Sequence, residues 1–370
     1  MRVLIVGAGI AGLSLARALE LRGIIPDVAE RQPTWNAGGT GLFLPGNASR
    51  AFTQLGLFPE IARVAMPIHY QRFLSRTGKE LSAINTASFW DVCGPCLAMS
   101  RAEMHSILRN GLKQTSVAMF RSVSHIQSSS DSCDVTFADG TTNRYDLAVG
   151  ADGVRSRVRD FAFPHVKPAY AGYICWRFLT ENTVGADSWT AMIGKRQTLL
   201  AIPVSPSRVY VYADRSVSLD EARQYSDRTS LERHFTGFAG ALVPLVKNLH
   251  PETEVHFSHI ETVPSGTWRR DRIVLIGDAA HASSPSMAQG AGLACEDALL
   301  LAEVVSESSS IDEALSVFVQ RCEARVAWVQ KQCLARDRMR TLPAFVSSQI
   351  LRYLGKSLYE KSYLPLLAPI

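Results

Sequence analysis

Three glycines and a carboxylate near the start of the chain have a spacing that can do chemistry. Gly7, Gly9 and Gly12 form a G-x-G-x-x-G run, and Glu30 closes the next apolar segment. Gly7 permits a tight turn, Gly9 lets a pyrophosphate approach the backbone, and Gly12 lets a helix pack closely on a strand. Glu30 can accept hydrogen bonds from a ribose. A second cluster lies far along the chain, in VLIGDAAHASSPSMAQGAG at 274–292. Here an apolar run ends in a carboxylate, Asp278. Pro285 then fixes a bend, and Gln289, Gly290, Ala291 and Gly292 open a further apolar stretch. Asp278 suits a sugar-alcohol hydroxyl, and the glycine-rich end suits an anion held by free N–H groups at a helix start.

The elements that must position these groups are legible around them. Val3 to Val6 is wholly apolar, as a strand buried on both faces should be. Ala11 to Leu21 reads as a helix ended near Gly23, and Pro26 to Glu30 as a second strand. Arg272 to Gly277 reads as another buried strand, and a helix runs from Leu293 to about Ser306. The first turn alone does not separate FAD from NAD(P), since both carry an adenosine ribose and a pyrophosphate. Two turns on one chain suit a longer cofactor that rests one end on each. A flavin meets that demand, with its ribityl chain at Asp278 and its ring near 285–292. The helix start there would stabilise the negative charge of a reduced ring. No second G-x-G-x-x-G with strand and helix occurs, so a separate nicotinamide-binding domain is not expected.

The rest of the chain bounds the function. A length of 370 residues with 46% hydrophobic content suggests two or so domains. The net charge of +5 comes without a basic block of the kind that tracks nucleic acid. The mixed charges of 321–340 read as one solvated helix face. No apolar run reaches membrane-spanning length, so a membrane partner is not expected. The first strand begins at Arg2, which leaves no room for a leader and predicts a cytoplasmic protein. Seven scattered cysteines fit a reducing compartment. The pair Cys93 and Cys96 lacks the strand-to-helix setting of a redox motif and reads as two buried thiols. No cluster has metal-ligand spacing, so no metal is expected.

In the middle, Cys133 to Asp146 reads as a hairpin around Asp139-Gly140, and Val117 to Val123 as a strand. Residues 169–265 are rich in strands, and 219–240 look helical. Along 208–214, alternation puts Arg208, Tyr210 and Tyr212 on one face and Val209, Val211 and Ala213 on the other. The apolar face is the expected core. In the tail, Val346, Ile350, Leu354 and Leu358 form a helical stripe expected to pack on the protein's own body, with dimerisation or interfacial membrane contact as other readings.

At this point the chain resembles a known family, the single-component FAD-dependent aromatic monooxygenases of p-hydroxybenzoate hydroxylase type. GAGIAG with Glu30 and Arg31 looks like the family's N-terminal fingerprint. GADGVRSRVR, carrying Asp152 and Gly153, looks like its Asp-Gly motif, linked to both FAD and NAD(P)H. GDAAHASSPSMAQGAGLACEDA looks like its Gly-Asp motif. SRAEMHSIL is similar to the segment whose arginine, here Arg101, reaches the FAD pyrophosphate. GGTGLFLPGNASRAFTQLGL, with Gly41, resembles the loop beside the flavin, and the resemblance puts Val123 by the adenine.

The resemblance implies a fold and a reaction. The fold is α/β: a Rossmann-like FAD-binding domain (1–68, 97–168 and 266–340), an inserted antiparallel-β substrate domain (69–96 and 169–265) and a C-terminal helical tail (341–370). In the reaction NADPH or NADH reduces FAD, O2 forms a C4a-hydroperoxide, and one oxygen passes to an electron-rich aromatic or N-heteroaromatic small molecule. A monomer or homodimer is expected. Ala288, Gly292 and Ala294 stand where many members have Gly, Asn and Gly, a form that looks like the salicylate, hydroxynicotinate and urate hydroxylase branch, which also includes epoxidases. Pro45-Gly46-Asn47 carries a glycine that this branch usually lacks. Arg196 and Tyr210 resemble substrate-contacting positions of the urate-hydroxylating relatives; packing within the sheet or on the surface is the other reading. Trp176 and Arg177 match a structural pair, and His281 suits a local structural hydrogen bond. An epoxidase, another flavin oxidoreductase or a flavin-bound sensor are the alternative functions.

Overall fold

The computed structural model describes residues 1–370 apart from 36, 37, 39, 226–228, 265 and 267. Gly39 of the 38–57 loop, part of the helical 219–240 segment and the 265 boundary therefore lie outside the described residues.

The strand Val3–Val6 is buried at every position. It pairs in parallel with Leu147–Gly150 on one side and Asp27–Ala29 on the other. Ile273–Leu275 extends the sheet beyond Leu147–Gly150, and Val117–Ala118 extends it beyond Asp27–Ala29, both in parallel. Only Arg269–Arg270, on one edge, runs antiparallel. Strands buried on both faces need apolar residues throughout, so these read as short continuous apolar runs. The helix Ile10–Glu20 crosses between the first two strands. Its Glu20 accepts the backbone N–H groups of Lys113, Gln114 and Thr115, tying the helix end to the neighbouring loop. The span 117–123 is not one strand, since Phe120 takes a φ of 54° and breaks it. The second piece, Val123–Ser128, joins Cys133–Phe137 and Thr142–Tyr145 in a separate three-stranded antiparallel sheet.

The second large sheet has seven strands. In order they are His256–Thr262, Ala169–Glu181, Arg208–Ser216, Gln197–Pro203, Trp189–Gly194, Tyr70–Ser75 and Glu80–Asn85. Every pairing is antiparallel except that of Trp189–Gly194 with Tyr70–Ser75. Its two faces have different fates. Trp176, Phe178, Val209, Val211 and Ala213 point into a core closed by residues of 217–222 and 231–246. Tyr210 and Tyr212 point the other way and belong to the core shared with the cofactor-type sheet. The tyrosine face is therefore an interface between the two sheets and not solvent-facing.

Three long helices complete the fold: Gly290–Glu307, Ile311–Met339 and Ala344–Tyr363. The second begins at Ser310, whose side chain accepts the Glu313 N–H, and buries Cys322, Val326, Val329 and Cys333. At its end Arg340 forms a buried ion pair with Asp214 of the seven-stranded sheet. The Arg340 guanidinium also lies over the Tyr173 ring at 4.8 Å.

The tail helix reverses the expectation from its stripe. Val346, Leu354 and Leu358 are exposed, whereas Ser347, Gly355, Tyr359, Ser362 and Tyr363 are buried. The helix lies against the edge strand Glu80–Asn85. A Cβ at Gly355 would stand 2.8 Å from Ser82 Oγ, so the helix meets that strand closely on its Gly355 side, where Tyr359 and Tyr363 are buried as well. Cys93 and Cys96 are buried and unbridged, and burial pushes the Cys96 thiol up to about 12. Among the described residues no group of three or more His, Cys, Asp or Glu is placed to hold a metal. No helix among them is long and apolar enough to cross a membrane.

Candidate functional site

The first turn is built by contact. Gly7 has a φ of 104°, and a Cβ there would lie 2.6 Å from the Ala151 carbonyl oxygen. A Cβ on Gly12 would lie 1.9 Å from the Gly7 carbonyl oxygen. Gly9 differs, since a Cβ there would meet nothing within 4 Å. Two of the glycines are thus demanded by packing, and the third faces open space at a helix N-terminus. Glu30 stands beside that space, accepting the Ala8 N–H at 2.8 Å and the Gln32 N–H at 2.9 Å. Each carboxylate oxygen keeps lone-pair capacity for a further donor. Arg31 is exposed next to it. Arg121 donates its backbone N–H to the Glu30 carbonyl at 2.8 Å, which brings the buried Val123 to the same edge.

The second turn touches the first. Gly277 has a φ of 57°, and a Cβ there would meet Ala11 Cβ at 3.0 Å. Ser14 Oγ and Cys295 Sγ are 3.4 Å apart, linking the helices that follow the two turns. Asp278 is exposed at the start of the one-turn helix Asp278–His281. Its Oδ1 lies 3.9 Å from where a Gly290 Cβ would stand, at the start of the helix Gly290–Glu307. Pro285–Met287 forms a single exposed-to-buried turn, and Ala288 takes the left-handed conformation at φ 49°. Ala291 is half-buried and Gly292 buried in the first helical turn.

Gln289 is buried and exchanges hydrogen bonds with Asn47 in both directions, at 2.9 and 3.1 Å. A Cβ on Gly292 would stand 3.1 Å from the Asn47 amide nitrogen, so Asn47 fills the space that an asparagine at 292 would enter. Behind this pair, Glu296 is held by Arg325 and Arg50. Those two arginines also donate to the carbonyls of Leu366 and Ala368, which clamps the chain's last residues behind the turn. Tyr363 Oη donates to the Met287 carbonyl at 3.0 Å.

His281 makes a local structural contact. Its Nε2 lies 2.7 Å from Asp297 Oδ2, and the same oxygen accepts the Gly277 N–H. Burial disfavours the imidazolium, but the Asp297 carboxylate outweighs it and holds the His281 pKa above the usual value.

Asp152 follows the strand Leu147–Gly150. Its Oδ2 accepts the N–H groups of Arg157 and Val158 at the start of the helix Arg157–Ala162. Its Oδ1 has no partner among the described residues. Burial raises its pKa, against the pull of Ser156 and those backbone donors. Gly153, at φ 82°, turns the chain there with open space beyond.

Arg101 begins the helix Arg101–Gly111 and is exposed. Surrounding protein still lowers its pKa, with Asp278 raising it and Arg177 lowering it further. His105, one turn along, sets its Nε2 2.8 Å from the Ala8 carbonyl oxygen. The four-residue spacing from Arg101 puts both on one helix face, a signal the motif reading passed over.

Tyr210 is buried near Arg177 and Arg101. Burial pushes its hydroxyl pKa up, with Arg177 and Arg101 pulling it down. A Cβ on Gly41 would lie 2.4 Å from Tyr210 Cβ, so that strand presses directly on the sheet. Arg177 donates to Ser258 Oγ at 2.8 Å, and its Nε has no partner among the described residues. Arg196 lies elsewhere. It occupies the exposed tip of the hairpin between Trp189–Gly194 and Gln197–Pro203, at φ 60°. Its neighbour Gln197 pairs with Arg215, whereas Tyr210 pairs with Ile202 at the other end of the strand. At roughly 3.4 Å per residue the two sites are on the order of 17 Å apart. The structure does not bring Arg196 and Tyr210 together.

The residues present fit a dinucleotide carrying a long second arm. They supply an open glycine at a helix start, a carboxylate with spare capacity, an orphaned Asp152 oxygen and a second helix start beside Asp278. The FAD binding domain family matches residues 1–329. The chain belongs to this family, among the flavin-dependent monooxygenases. It is 33% identical to 2-heptyl-3-hydroxy-4(1H)-quinolone synthase of Pseudomonas aeruginosa over 336 residues, covering 90% of this chain and 87% of that protein. It is 30% identical to aurachin C monooxygenase/isomerase of Stigmatella aurantiaca, covering 85% and 83%. Among solved structures it is similar to Klebsiella pneumoniae HpxO complexed with FAD and uric acid, with a TM-score of 0.85, 26% identity and coverage of 99% and 95%.

Proposed function

We propose that the chain is an FAD-dependent, NADPH- or NADH-consuming monooxygenase that hydroxylates an electron-rich aromatic or N-heteroaromatic small molecule. The observation that carries this reading is the contact of Ala11 with Gly277, which joins two distant glycine turns into one continuous cradle. The relatives named above form or bind oxygenated N-heterocycles, a quinolone in one case and uric acid in another, which supports the substrate class.

Bound FAD would supply the two-electron chemistry and the activation of O2 at its ring. The chain's own residues position and shield. Gly9 admits the pyrophosphate to the helix start, Arg101 meets its charge, and Glu30 receives the adenosine ribose. Arg31 and Val123 border the adenine end. Asp152 and Gly153 bound the middle, and Asp278 takes the ribityl hydroxyls. Pro285 and the segment Gln289 to Gly292 border the ring, where free N–H groups stabilise negative charge. The division into a cofactor domain (1–68, 97–168 and 266–340), a substrate domain (69–96 and 169–265) and a tail (341–370) is part of the same proposal. Tyr210, pressed on Gly41, positions substrate between the sheet and the cradle, and excludes water by its burial. Arg196, exposed at the hairpin tip, is too far from Tyr210 to touch the same small molecule and is left out of this contact.

The test is anaerobic flavin bleaching by NADPH or NADH, with and without a panel of aromatic acids, phenols and N-heterocycles. Bleaching that one ligand speeds strongly supports the proposal and gives the substrate class. Bound flavin that no nicotinamide reduces, with or without ligand, overturns it.

A further inference from the structure

The tail helix Ala344–Tyr363 carries an apolar face that none of the described residues covers. Phe345 is 74% exposed, Tyr353 75% and Leu354 52%, and Val346, Leu358 and the following Leu364 are exposed with them. The other side of the helix is fully engaged. Gly355 lies on Ser82, Tyr359 Oη accepts the Trp90 indole N–H at 2.8 Å, and Tyr363 reaches Met287. The exposed arc is therefore not a core face awaiting a small shift.

Positive charge gathers in this stretch of the sequence, and three of the cations, Arg352, Lys356 and Lys361, stand on the tail helix itself. Between 331 and 361 the chain has seven Lys or Arg and two Asp or Glu. That surplus of five equals the net charge of the whole protein, so the remainder is balanced. Two of the seven, Arg336 and Arg340, are tied inside by Tyr363, Ser286 and Asp214. Lys331, Arg338, Arg352, Lys356 and Lys361 are exposed. Of the two acids, Asp337 is occupied by Ser286 and Arg340, and Glu360 lies 3.8 Å from Lys356. Arg352 and Lys356, one turn apart, run along one edge of the apolar stripe, and Lys361 stands near its end.

We propose that this helix is an interfacial docking face for an anionic lipid surface. Apolar side chains along a surface helix, with two exposed aromatics in its first half and cations at the edge, match a helix lying in the headgroup plane. Long cationic side chains reach out to the phosphates while their stems stay beside the apolar stripe. A second copy of the chain is disfavoured, because a two-fold contact would set this cationic surplus against itself. The helix presents a ridge, which a soft interface accepts without a matching groove. This inference goes beyond the proposed reaction and does not depend on it, since the docking residues lie outside the cradle.

The test is co-sedimentation of the FAD-loaded full chain with vesicles of phosphatidylcholine alone, or of equal parts phosphatidylcholine and phosphatidylglycerol. The expected result is pelleting with the anionic vesicles, weakened by salt, and little with the neutral ones. Replacing Arg352, Lys356 and Lys361 together by Gln should lower partitioning by roughly a hundredfold, about fivefold for each cation. Tyr353→Ser with Leu354→Ser should abolish pelleting at low salt as well. Flavin content and melting temperature check that both variants are folded. Failure of the parent chain to pellet overturns the proposal. So does pelleting that the Tyr353 and Leu354 replacements leave intact, which would reduce the face to a charge patch. Concentration-dependent dimers that those replacements dissolve, without lipid binding, would assign the face to a second copy.

Discussion

Asn47 and Gln289, separated by 242 positions, exchange amide hydrogen bonds in both directions inside the protein. Asn47 is fully buried and Gln289 nearly so. The pair ties the helix that follows Pro45 to the turn that opens the helix Gly290–Glu307. The shape of the second turn therefore depends on a residue from the other end of the chain.

Removing one partner leaves a buried amide unsatisfied. Asn47→Ala or Gln289→Leu should each cost about 1–3 kcal/mol. The double variant should cost less than the sum, because the second change removes the orphaned group. Denaturant unfolding of the four proteins in one double-mutant cycle measures this. Full additivity would mean that the pair contributes no coupling.

The three glycines of the first turn should respond differently. Gly12→Val forces a side chain onto the Gly7 carbonyl oxygen, only 1.9 Å from the Cβ position, and should destabilise the fold by about 1–3 kcal/mol or more. A Cβ at Gly9 would meet no described residue beyond its chain neighbours within 4 Å, so in Gly9→Val the fold should persist while flavin is lost. The ratio of flavin absorbance to protein, read beside the melting temperature, separates the two effects. Retention of flavin by the Gly9 variant would remove that glycine from the cradle.

Ala288 sits at φ 49°, where an L-residue with a Cβ is strained. The left-handed conformation costs roughly 1–2 kcal/mol, which glycine does not pay. Glycine returns part of that as extra unfolded-state entropy, about 0.4–1 kcal/mol. Ala288→Gly should therefore stabilise the protein by up to about 1 kcal/mol. A rise in melting temperature with unchanged flavin content is the expected reading, and a fall would show that the methyl group packs usefully.

The His281–Asp297 pair predicts a pH dependence with a definite sign. The folded pKa of His281 is raised, since Asp297 outweighs the burial that opposes it. Its contribution is fully present below the unfolded histidine value of about 6.5 and is lost as pH rises through the higher folded value. The melting temperature should fall over that window in the parent chain. His281→Gln should flatten the slope there. Equal slopes in both proteins would show that the imidazole does not titrate with folding.

Much of the cofactor-type sheet was legible because its signals are local. Gly7, Gly9 and Gly12 act within one turn, and Glu30 ends the adjacent strand, so spacing alone places them. The hairpin around Asp139-Gly140 and the buried strand Ile273–Leu275 follow from alternation and apolar runs in the same way. The strand reading of 117–123 failed for an equally local reason. An apolar run does not reveal that Phe120 turns the backbone out of the sheet.

Composition and periodicity determined which segments are strands and helices, and which residue types sit at each turn. Only the tertiary structure decided which segments meet. It joined Ala11 to Gly277, paired Asn47 with Gln289, set Tyr210 on Gly41 and left Arg196 at a distant hairpin tip. It also reversed the tail helix, burying Ser347, Gly355 and Tyr359 while its apolar stripe faces outward. Hydrophobic spacing records that a helix has an apolar side, but how near a neighbouring strand can come is set by side-chain size at the contact. Gly355 allows the close approach, Tyr359 and Tyr363 find hydrogen-bond partners on the same side, and the apolar side was left to face outward.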